Sequence, residues 1–320
     1  MRKVAGGVFC AIYLYLMLQP AGAASLIPGG QVIGLELEDG SVSVAAFDDR
    51  CGDAARAAGL MVGDEILTVD GARVTCAEDV RAALQRSDGS VEVEVQRSGG
   101  ACSLTVRPRV TSQGPRLGGR LRQGVTGIGT VTWYDPQSHR FGALGHGVND
   151  RDGKLAAMTG GTAYRATVLS VKQGERGQPG QLRGGMDDGC PLGPLEKNTA
   201  KGIFGTVDTG WMGQPLETAA PSEVRTGPAK IRSTVSGETV REYDVQILKL
   251  YPRACPEGRD LLLKVTDPQL LSATGGIVQG MSGSPIIQNG KLVGAVTHVL
   301  VNDPTTGYGI FIENMLDAAA

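Results

Sequence analysis

The heptapeptide Gln279–Pro285, with the sequence QGMSGSP, decides the fold, and an apolar strand-like run follows it. Gly280 and Gly283 flank Ser282, and because glycine has no side chain the backbone can turn sharply and leave the serine hydroxyl exposed. In such a turn the N–H groups of Gly280 and Ser282 converge on one point, where they form an oxyanion hole. We therefore predict that Ser282 is a nucleophile. Ser284 is a competing candidate, and a plain glycine–serine turn is the structural alternative.

A nucleophilic serine needs a base within hydrogen-bonding reach, and the chain has three histidines, His139, His146 and His298. His146 lies in the segment FGALGHG (141–147), which is apolar and glycine-rich like the surroundings of the serine. We predict that His146 is the base, although a lone histidine is more often structural. His139 lies in a polar turn. Thr297 and His298 end the strand that follows the serine, and we place both in the substrate cleft.

The third member of such a site is an acid that orients the histidine. The order of histidine before serine is that of the chymotrypsin class, in which an aspartate supplies this group. Six aspartates between the two residues qualify by position, and composition does not choose between them: Asp187, Asp188, Asp208, Asp244, Asp260 and Asp267.

The composition excludes several classes of protein. The 320 residues carry 31 basic and 33 acidic side chains, a formal net charge of -2, whereas nucleic-acid binding requires a basic surplus. A hydrophobic content of 41% is too high for a disordered chain. The 48 glycines follow no G-X-Y period, so collagen is excluded. The length is that of about two domains.

The second part of the chain, residues 125–320, consists of short strand-like runs that alternate with glycine turns. Helical periodicity is nearly absent there, so the pattern predicts a barrel or a sandwich. With the order of histidine and serine, it favours a mainly β, chymotrypsin-like double β-barrel. No CxxC pair and no Cys/His spacing typical of zinc sites occurs, so we expect neither a metal nor a cofactor.

The first residues have the features of an export signal. Arg2 and Lys3 precede an uncharged, mostly apolar run from Val4 to Leu18, and the small residues 21–25 follow. This pattern predicts a secretory signal peptide over residues 1–25. An uncleaved N-terminal membrane anchor is the alternative.

A smaller α+β unit is predicted over residues 26–108. The segment Ala57–Gly71, with the sequence AAGLMVGDEILTVDG, closely resembles a PDZ domain, which adds a peptide as a strand to its sheet edge. We expect the ligand loop at Val32, Ile33, Gly34 and Leu35, with a plain hairpin start as the alternative. Residues 109–124, rich in glycine and arginine, are predicted to be a linker.

The chain from Leu26 to Leu316 resembles the PDZ-containing, SpoIVB-type serine peptidases of endospore-forming bacteria (stage IV sporulation protein B). Several strings carry this resemblance: LIPGGQ (26–31), GIGTVT (127–132), FGALGHG (141–147), GQPGQLRG (177–184), KVTD (264–267), GGIVQGMSGSPIIQNGKLVGAVTHV (275–299) and VNDPTTGYGI (301–310). It implies that the catalytic serine and histidine are Ser282 and His146, and that Asp267 is the acid. Because Asp267 precedes Pro268 at a strand end, a capping role is the alternative.

The resemblance also implies a cellular role. Such a peptidase is exported from the forespore into the space between the two surrounding membranes and cleaves itself near its N-terminus. It then cleaves an inhibitor held in a membrane complex with an intramembrane metalloprotease, which goes on to mature a sigma factor in the mother cell. The expected partners are therefore this protein substrate and the chain itself, with membrane anchoring through the N-terminal segment as an option. The alternatives are a general envelope quality-control protease with a PDZ sensor and a non-catalytic PDZ scaffold.

Overall fold

Strands dominate the computed structural model of the chain, which describes residues 24–49, 52–97, 99–112, 114–150, 153–208, 210–251 and 259–320. The predicted signal segment therefore lies almost entirely outside the described residues, as do Cys10, Cys51 and Cys255. No helix of the described ranges is long and apolar enough to cross a membrane. The prediction of a mainly β protein is confirmed.

The described residues form twenty strands and four helices. The strands are β1 (Ser25–Pro28), β2 (Val32–Phe47), β3 (Glu65–Val69), β4 (Ala72–Arg73), β5 (Val91–Arg97), β6 (Gly100–Val106), β7 (Arg109–Thr111), β8 (Gly114–Arg116), β9 (Gly119–Tyr134), β10 (Arg140–Ala143), β11 (Gly160–Lys172), β12 (Gln181–Thr199), β13 (Gly202–Thr206), β14 (Leu216–Glu217), β15 (Gly227–Ser233), β16 (Arg241–Leu250), β17 (Leu261–Val265), β18 (Pro285–Gln288), β19 (Lys291–Leu300) and β20 (Asp303–Phe311). The helices are α1 (Gly52–Ala57), α2 (Ala77–Arg86), α3 (Pro268–Thr274) and α4 (Ile312–Ala319).

Two six-stranded antiparallel barrels form the body of the protein. In barrel one the hydrogen-bonded ring runs β2-β9-β10-β13-β12-β11 and returns to β2. Barrel two is the closed ring β15-β16-β17-β20-β19-β18. If the strands of each barrel are lettered a to f in chain order, both rings read a-b-c-f-e-d. The double β-barrel expected from the sequence is therefore present in the strand pairings.

Each barrel has its own apolar core because alternate side chains of every strand point inward. In β16 every second residue from Tyr243 to Ile247 is buried, with exposed residues between. Ile231 and Leu263 lie in the core of barrel two. Phe141 and Ile203 lie in the core of barrel one. The alternation that was visible in the sequence thus has its expected consequence, one buried face and one solvated face.

A smaller unit is inserted between the first two strands of barrel one. It comprises residues 42–123 and contains α1, α2 and β3 to β8, with its own core around Val93 and Leu84. The outer parts of β2 and β9 belong to it, because Val42–Phe47 pair with Gly119–Gln123. Here this segment is called the inserted unit.

The strand pairings place the domain boundaries at other residues than the sequence predicted. Residues 26–37 lie in β1 and the first part of β2, and they pair with strands of barrel one. The predicted linker, residues 109–124, contains β7, β8 and the start of β9. The reason is that β2 and β9 each run through both units, with a register shift between Leu37 and Val42. The polar segment 38–41, with Gly40 at a φ of +77°, lies at that crossing, and the strand continues through it.

Candidate active site

The turn that carries Ser282 connects α3 to β18 of barrel two. Gly280 and Gly283 both have a φ of +97°, which side chains other than glycine rarely adopt. A Cβ atom at Gly283 would overlap the carbonyl oxygen of Thr130. Glycine is therefore required at 283 for two reasons, the backbone angle and the close approach of β9.

Two buried threonines of β9 hold this turn from the other barrel. The Thr130 N–H donates to the carbonyl of Ser282 at 3.0 Å, and its Oγ1 donates to the carbonyl of Gly280 at 2.7 Å. Thr132 Oγ1 donates to the carbonyl of Gly283 at 2.8 Å. Both threonines are fully buried. Barrel one thus fixes the position of the serine turn of barrel two. Sequence reasoning missed this role, although the alternating threonines of GIGTVT were a visible signal.

The N–H groups of Gly280 and Ser282 are the two donors predicted for the oxyanion hole. Within the described residues, the backbone hydrogen bonds donated here come from Met281, Gly283 and Ser284, and none comes from Gly280 or Ser282. Both N–H groups are therefore available to a ligand oxygen, which is what an oxyanion hole requires.

His146 follows β10, the third strand of barrel one. The chain reaches it through Leu144 and Gly145, which have φ values of 70° and 71°. A Cβ at Gly145 would lie 2.9 Å from Thr297 Cγ2, so the glycine allows the two barrels to approach closely. His146 Nδ1–H donates a hydrogen bond to the carbonyl oxygen of Gly147 at 2.8 Å. This contact leaves Nε2 as the basic nitrogen of the ring.

Burial lowers the pKa of His146 below the ordinary value of 6.5, and the hydrogen bond to Gly147 opposes this shift. Desolvation is the larger effect because the imidazolium loses hydration that a single carbonyl does not replace. His146 is therefore neutral near pH 7, the form that can accept a proton.

A cleft of about 530 Å³ between the barrels brings the predicted residues together. Apart from the acid, every residue that the sequence assigned to the active site lines this cleft: His146, Gly280, Ser282, Thr297 and His298. The rings of His146 and His298 lie with their centroids 5.2 Å apart. The Ser282 Oγ–H donates to the carbonyl of Thr297 at 2.7 Å. This hydrogen bond must break before the proton of Ser282 can pass to the imidazole.

Asp267 lies in a different place. It is the N-cap of α3, where its Oδ1 accepts from the N–H groups of Gln269 and Leu270 at 2.9 Å each. Its Oδ2 accepts from the N–H of Asp244 at 3.3 Å. The carboxylate is thus occupied by backbone donors of barrel two, and the capping alternative describes its contacts.

The other aspartates do not replace it in the cleft. In the described part of the chain, none of the six candidates lines the cleft. The buried Asp260 accepts instead from the Phe311 N–H and from Asn314 Nδ2. The group that the structure places against His146 Nδ1 is the carbonyl of Gly147.

The two competing residues are also placed. Ser284 is fully buried, and its hydroxyl donates to Ser233 Oγ at 3.1 Å. His139 is exposed, with its Nδ1 3.1 Å from the Tyr134 hydroxyl. Neither residue lines the cleft, so Ser282 and His146 keep the roles predicted for them.

A family comparison agrees with this geometry. The family model described as SpoIVB peptidase S55 matches residues 113–316, more than half of the chain and all of its second part up to α4. The chain belongs to the SpoIVB peptidase S55 family. It is accordingly a serine peptidase, a hydrolase. The first strand of barrel one lies outside the matched residues, because the inserted unit separates it from the rest of the SpoIVB-type domain.

Two curated relatives match shorter parts of this SpoIVB-type peptidase. A provisionally named zinc metalloprotease, R01501 of Rhizobium meliloti, is 32% identical over 100 residues, which are 31% of this chain and 26% of the relative. Another, BH06270 of Bartonella henselae, is 26% identical over 156 residues, which are 48% of this chain and 42% of the relative. The chain thus spans less than half of either relative. In the present chain no histidine is directly followed by a glutamate, so the H-E-x-x-H motif of zinc metalloproteases does not occur.

Solved structures of the Rv3671c protease from M. tuberculosis are also similar. The inactive form is 17% identical and covers 60% of this chain and 84% of its own, with a TM-score of 0.35. For the active form the identity is 17%, the coverage is 61% and 73%, and the TM-score is 0.36. The two-barrel fold of the SpoIVB-type peptidase is shown directly by its own strand pairings.

The structure corrects the predicted ligand loop of the SpoIVB-type peptidase. Val32 pairs with β9, and Ile33, Gly34 and Leu35 pair with β9 on one edge and with β11 on the other. All four residues are buried. A loop that binds a carboxylate needs unbonded backbone N–H groups, and a strand with both edges paired has none to offer.

The inserted unit has a groove elsewhere. A cavity of about 660 Å³ lies between α2 and the start of β9, with Val80 and Leu84 on the helix side. Its charged lining residues are Arg81, Arg116, Arg120 and Asp48. Residues Gly119–Gln123 pair with β2 on one edge, and no strand in the described ranges pairs with their other edge. The groove therefore presents an open strand edge beside a helix.

Proposed function

We propose that this SpoIVB-type peptidase is an exported sporulation endopeptidase, with Ser282 as nucleophile and His146 as general base. The proposal rests on the cleft that brings together Ser282 and His146. The N–H groups of Gly280 and Ser282 lie in the same cleft and donate no backbone hydrogen bond among the described residues. The signalling role, self-cleavage and export from the forespore rest on the family resemblance. So do the two partners, an inhibitor of an intramembrane metalloprotease and the chain itself.

The proposed reaction is acyl transfer. His146 Nε2 takes the Ser282 proton as Oγ attacks the carbonyl carbon of the scissile peptide. The N–H groups of Gly280 and Ser282 bind the oxyanion of the tetrahedral intermediate. The imidazolium then gives its proton to the leaving amine, and a water molecule repeats the sequence to release the acyl group. Throughout, the carbonyl of Gly147 holds Nδ1–H and fixes the tautomer.

The cleft supports an apolar substrate segment. Its walls combine aliphatic residues of both barrels: Leu35, Leu37, Ile128, Leu144, Ile277, Val278 and Val299. No aspartate, glutamate, lysine or arginine of the described residues lines it. A charged substrate side chain would lose its hydration there without a partner. We therefore expect cleavage next to aliphatic residues of an extended polypeptide.

We further propose that the inserted unit is a PDZ-type module whose peptide site is the groove at α2, not the segment 32–35. The open edge of Gly119–Gln123 allows a peptide to add as a strand. Three arginines against one aspartate favour an acidic segment or a C-terminal carboxylate. The segment 1–23 of this chain contains no acidic residue. Charge therefore favours a separate partner over the chain's own N-terminal segment.

The decisive experiment is the comparison of purified wild type with Ser282→Ala. We expect the variant to lose self-cleavage and substrate cleavage by about six orders of magnitude while its Tm is unchanged. Ser284→Ala is the matched control, with activity retained. If Ser282→Ala still cleaved itself, the assignment of the nucleophile would be wrong.

Mapping the wild-type cut sites separates the signalling protease from its alternatives. Few cuts, next to aliphatic residues, support the proposal. Indiscriminate degradation of unfolded casein would favour a quality-control protease. A folded wild type that cuts nothing would favour a scaffold.

The groove is tested by peptide binding to the full chain carrying Ser282→Ala. An acidic peptide with a free C-terminus should bind more weakly after Arg120→Glu, with Arg183→Glu as the control. Equal affinity in both variants would place the peptide site elsewhere.

A further inference from the structure

We propose that His146 and His298 form a two-histidine site for a divalent transition metal of the zinc type, and that the bound ion blocks the peptidase. The regulatory consequence rests on the proposed role of His146, whereas the binding itself does not. Both imidazoles line the same cleft as Ser282, and they come from different barrels.

The separation of the two rings matches shared coordination. A zinc–nitrogen bond of about 2.0–2.1 Å places the ring centroid about 3.2 Å from the ion. Two imidazoles at a tetrahedral angle then have centroids about 5.2 Å apart. The observed centroid separation of His146 and His298 is 5.2 Å, with the rings tilted by 39°. Water or a substrate group would complete the coordination.

The surroundings of His146 are also those of a metal ligand. A ligating histidine usually donates its other ring N–H to a carbonyl or carboxylate, which fixes the tautomer and the ring orientation. The carbonyl of Gly147 does this for His146 Nδ1 at 2.8 Å. Nε2 therefore carries the lone pair that can bind a metal.

The ion would inhibit rather than assist. Nε2 of His146 has one lone pair, which can bind either the proton of Ser282 or the metal. A metal held there removes the general base and fills the space in front of the nucleophile. No cluster of three or more His, Cys, Asp or Glu side chains able to hold a metal occurs in the described residues. A two-histidine site of this kind is exchangeable, because a resident structural zinc has four protein ligands.

Binding is tested on the full chain carrying Ser282→Ala, with its thiols first blocked by N-ethylmaleimide. We expect saturable one-to-one Zn²⁺ binding by calorimetry and a tetrahedral Co²⁺ absorption spectrum. His146→Ala, His298→Ala and His298→Gln should each weaken binding by about tenfold or more. His139→Ala, at the third histidine of the chain, is the matched control and should bind like the parent. Equal binding by the His298 variants, or loss in His139→Ala, would overturn the site.

Inhibition is tested on the active enzyme. After treatment with a chelator, added Zn²⁺ should lower kcat/KM of the wild type, and excess chelator should restore it. The ratio of rates with and without Zn²⁺ should be closer to one in His298→Gln than in the wild type. An equal ratio in both would overturn the regulatory part. If the wild type bound Zn²⁺ but had no peptidase activity, the proposed function would be contradicted and the proposed metal site would still stand.

Discussion

The two barrels have the same strand order, but they contribute different groups to the active site. Barrel two is built from six strands that follow one another closely and carries the serine turn. Barrel one holds the inserted unit between its first two strands and carries the histidine. Its β9 also clamps the serine turn through Thr130 and Thr132. The comparison shows that the same ring of strands can supply a nucleophile in one copy and its base and positioning groups in the other.

Equivalent positions in the two barrels make this difference testable. His146 follows the third strand of barrel one, and Asp267 follows the third strand of barrel two. The first reaches the cleft, whereas the second caps a helix.

The largest effect is expected from His146→Ala. Without its base, Ser282 is not activated, and kcat should fall by about 10⁴-fold to 10⁶-fold. The measurement is single-turnover acylation by a fluorophosphonate or a peptide ester. His139→Ala is the control, since that ring lies on the surface, and its rate should match the wild type. A residual rate within tenfold of wild type would place the base elsewhere.

Gly283→Ala should destabilise the protein strongly. The new Cβ would overlap the Thr130 carbonyl at a backbone angle that alanine disfavours. We expect a loss of at least about 3 kcal/mol in the free energy of unfolding. Gly290→Ala is the matched control in barrel two, because its φ is also positive, at +77°, and its surroundings are open. There the cost should be about 1 kcal/mol. Denaturant unfolding of both variants is the measurement, and similar losses would contradict the clamp.

Asp267→Ala should act on stability rather than on chemistry. Loss of the cap of α3 should cost about 1 kcal/mol. Asp267→Ser, which can also cap, should recover most of it. Acylation should change by less than about tenfold, whereas loss of a catalytic acid lowers kcat by about 10⁴-fold. A loss of that larger size in both variants would return Asp267 to the active site.

The smallest effect is expected from pH. Because burial lowers the pKa of His146, kcat/KM should fall on the acid side with a midpoint below 6.5. The unfolded chain binds this proton at higher pH than the folded chain does. The stability contributed by His146 is therefore present above its unfolded pKa and decreases as the pH falls toward the folded value. A pH profile of acylation with a midpoint above 6.5 would contradict the burial of the ring.

The sequence predicted the local chemistry well because the serine and histidine turns depend on their own glycines. Their positive φ values are a local requirement, and Gly283 and Gly145 satisfy it visibly. The groups that act across the two barrels were not predictable in this way. Thr130 and Thr132 contact the serine turn from about 150 residues away. Asp267 was a plausible acid by its position in the chain, and its actual contacts depend on the helix beside it.

The misplaced ligand loop has a similar cause. The residues around Gly34 are apolar and strand-like, and a single sequence does not show that both edges of this strand are already paired. The domain boundary was missed because the polar residues 38–41 have the composition of a turn, whereas β2 continues through them and changes its partners along its length.

The long passage of β2 and β9 through both units also affects how the chain folds. In barrel two the first hairpin closes across eight residues, from Ser233 to Arg241. In barrel one the pair Leu37 and Val125 is almost ninety residues apart. Closing the longer loop costs about 2 kcal/mol more in chain entropy unless the inserted unit has already brought its ends together. β9, the strand that closes this longer loop, also carries Thr130, which holds the serine turn. The nucleophile is therefore held in place only after β9 has paired with β2, and a chain in which this loop is still open lacks the contacts that position Ser282.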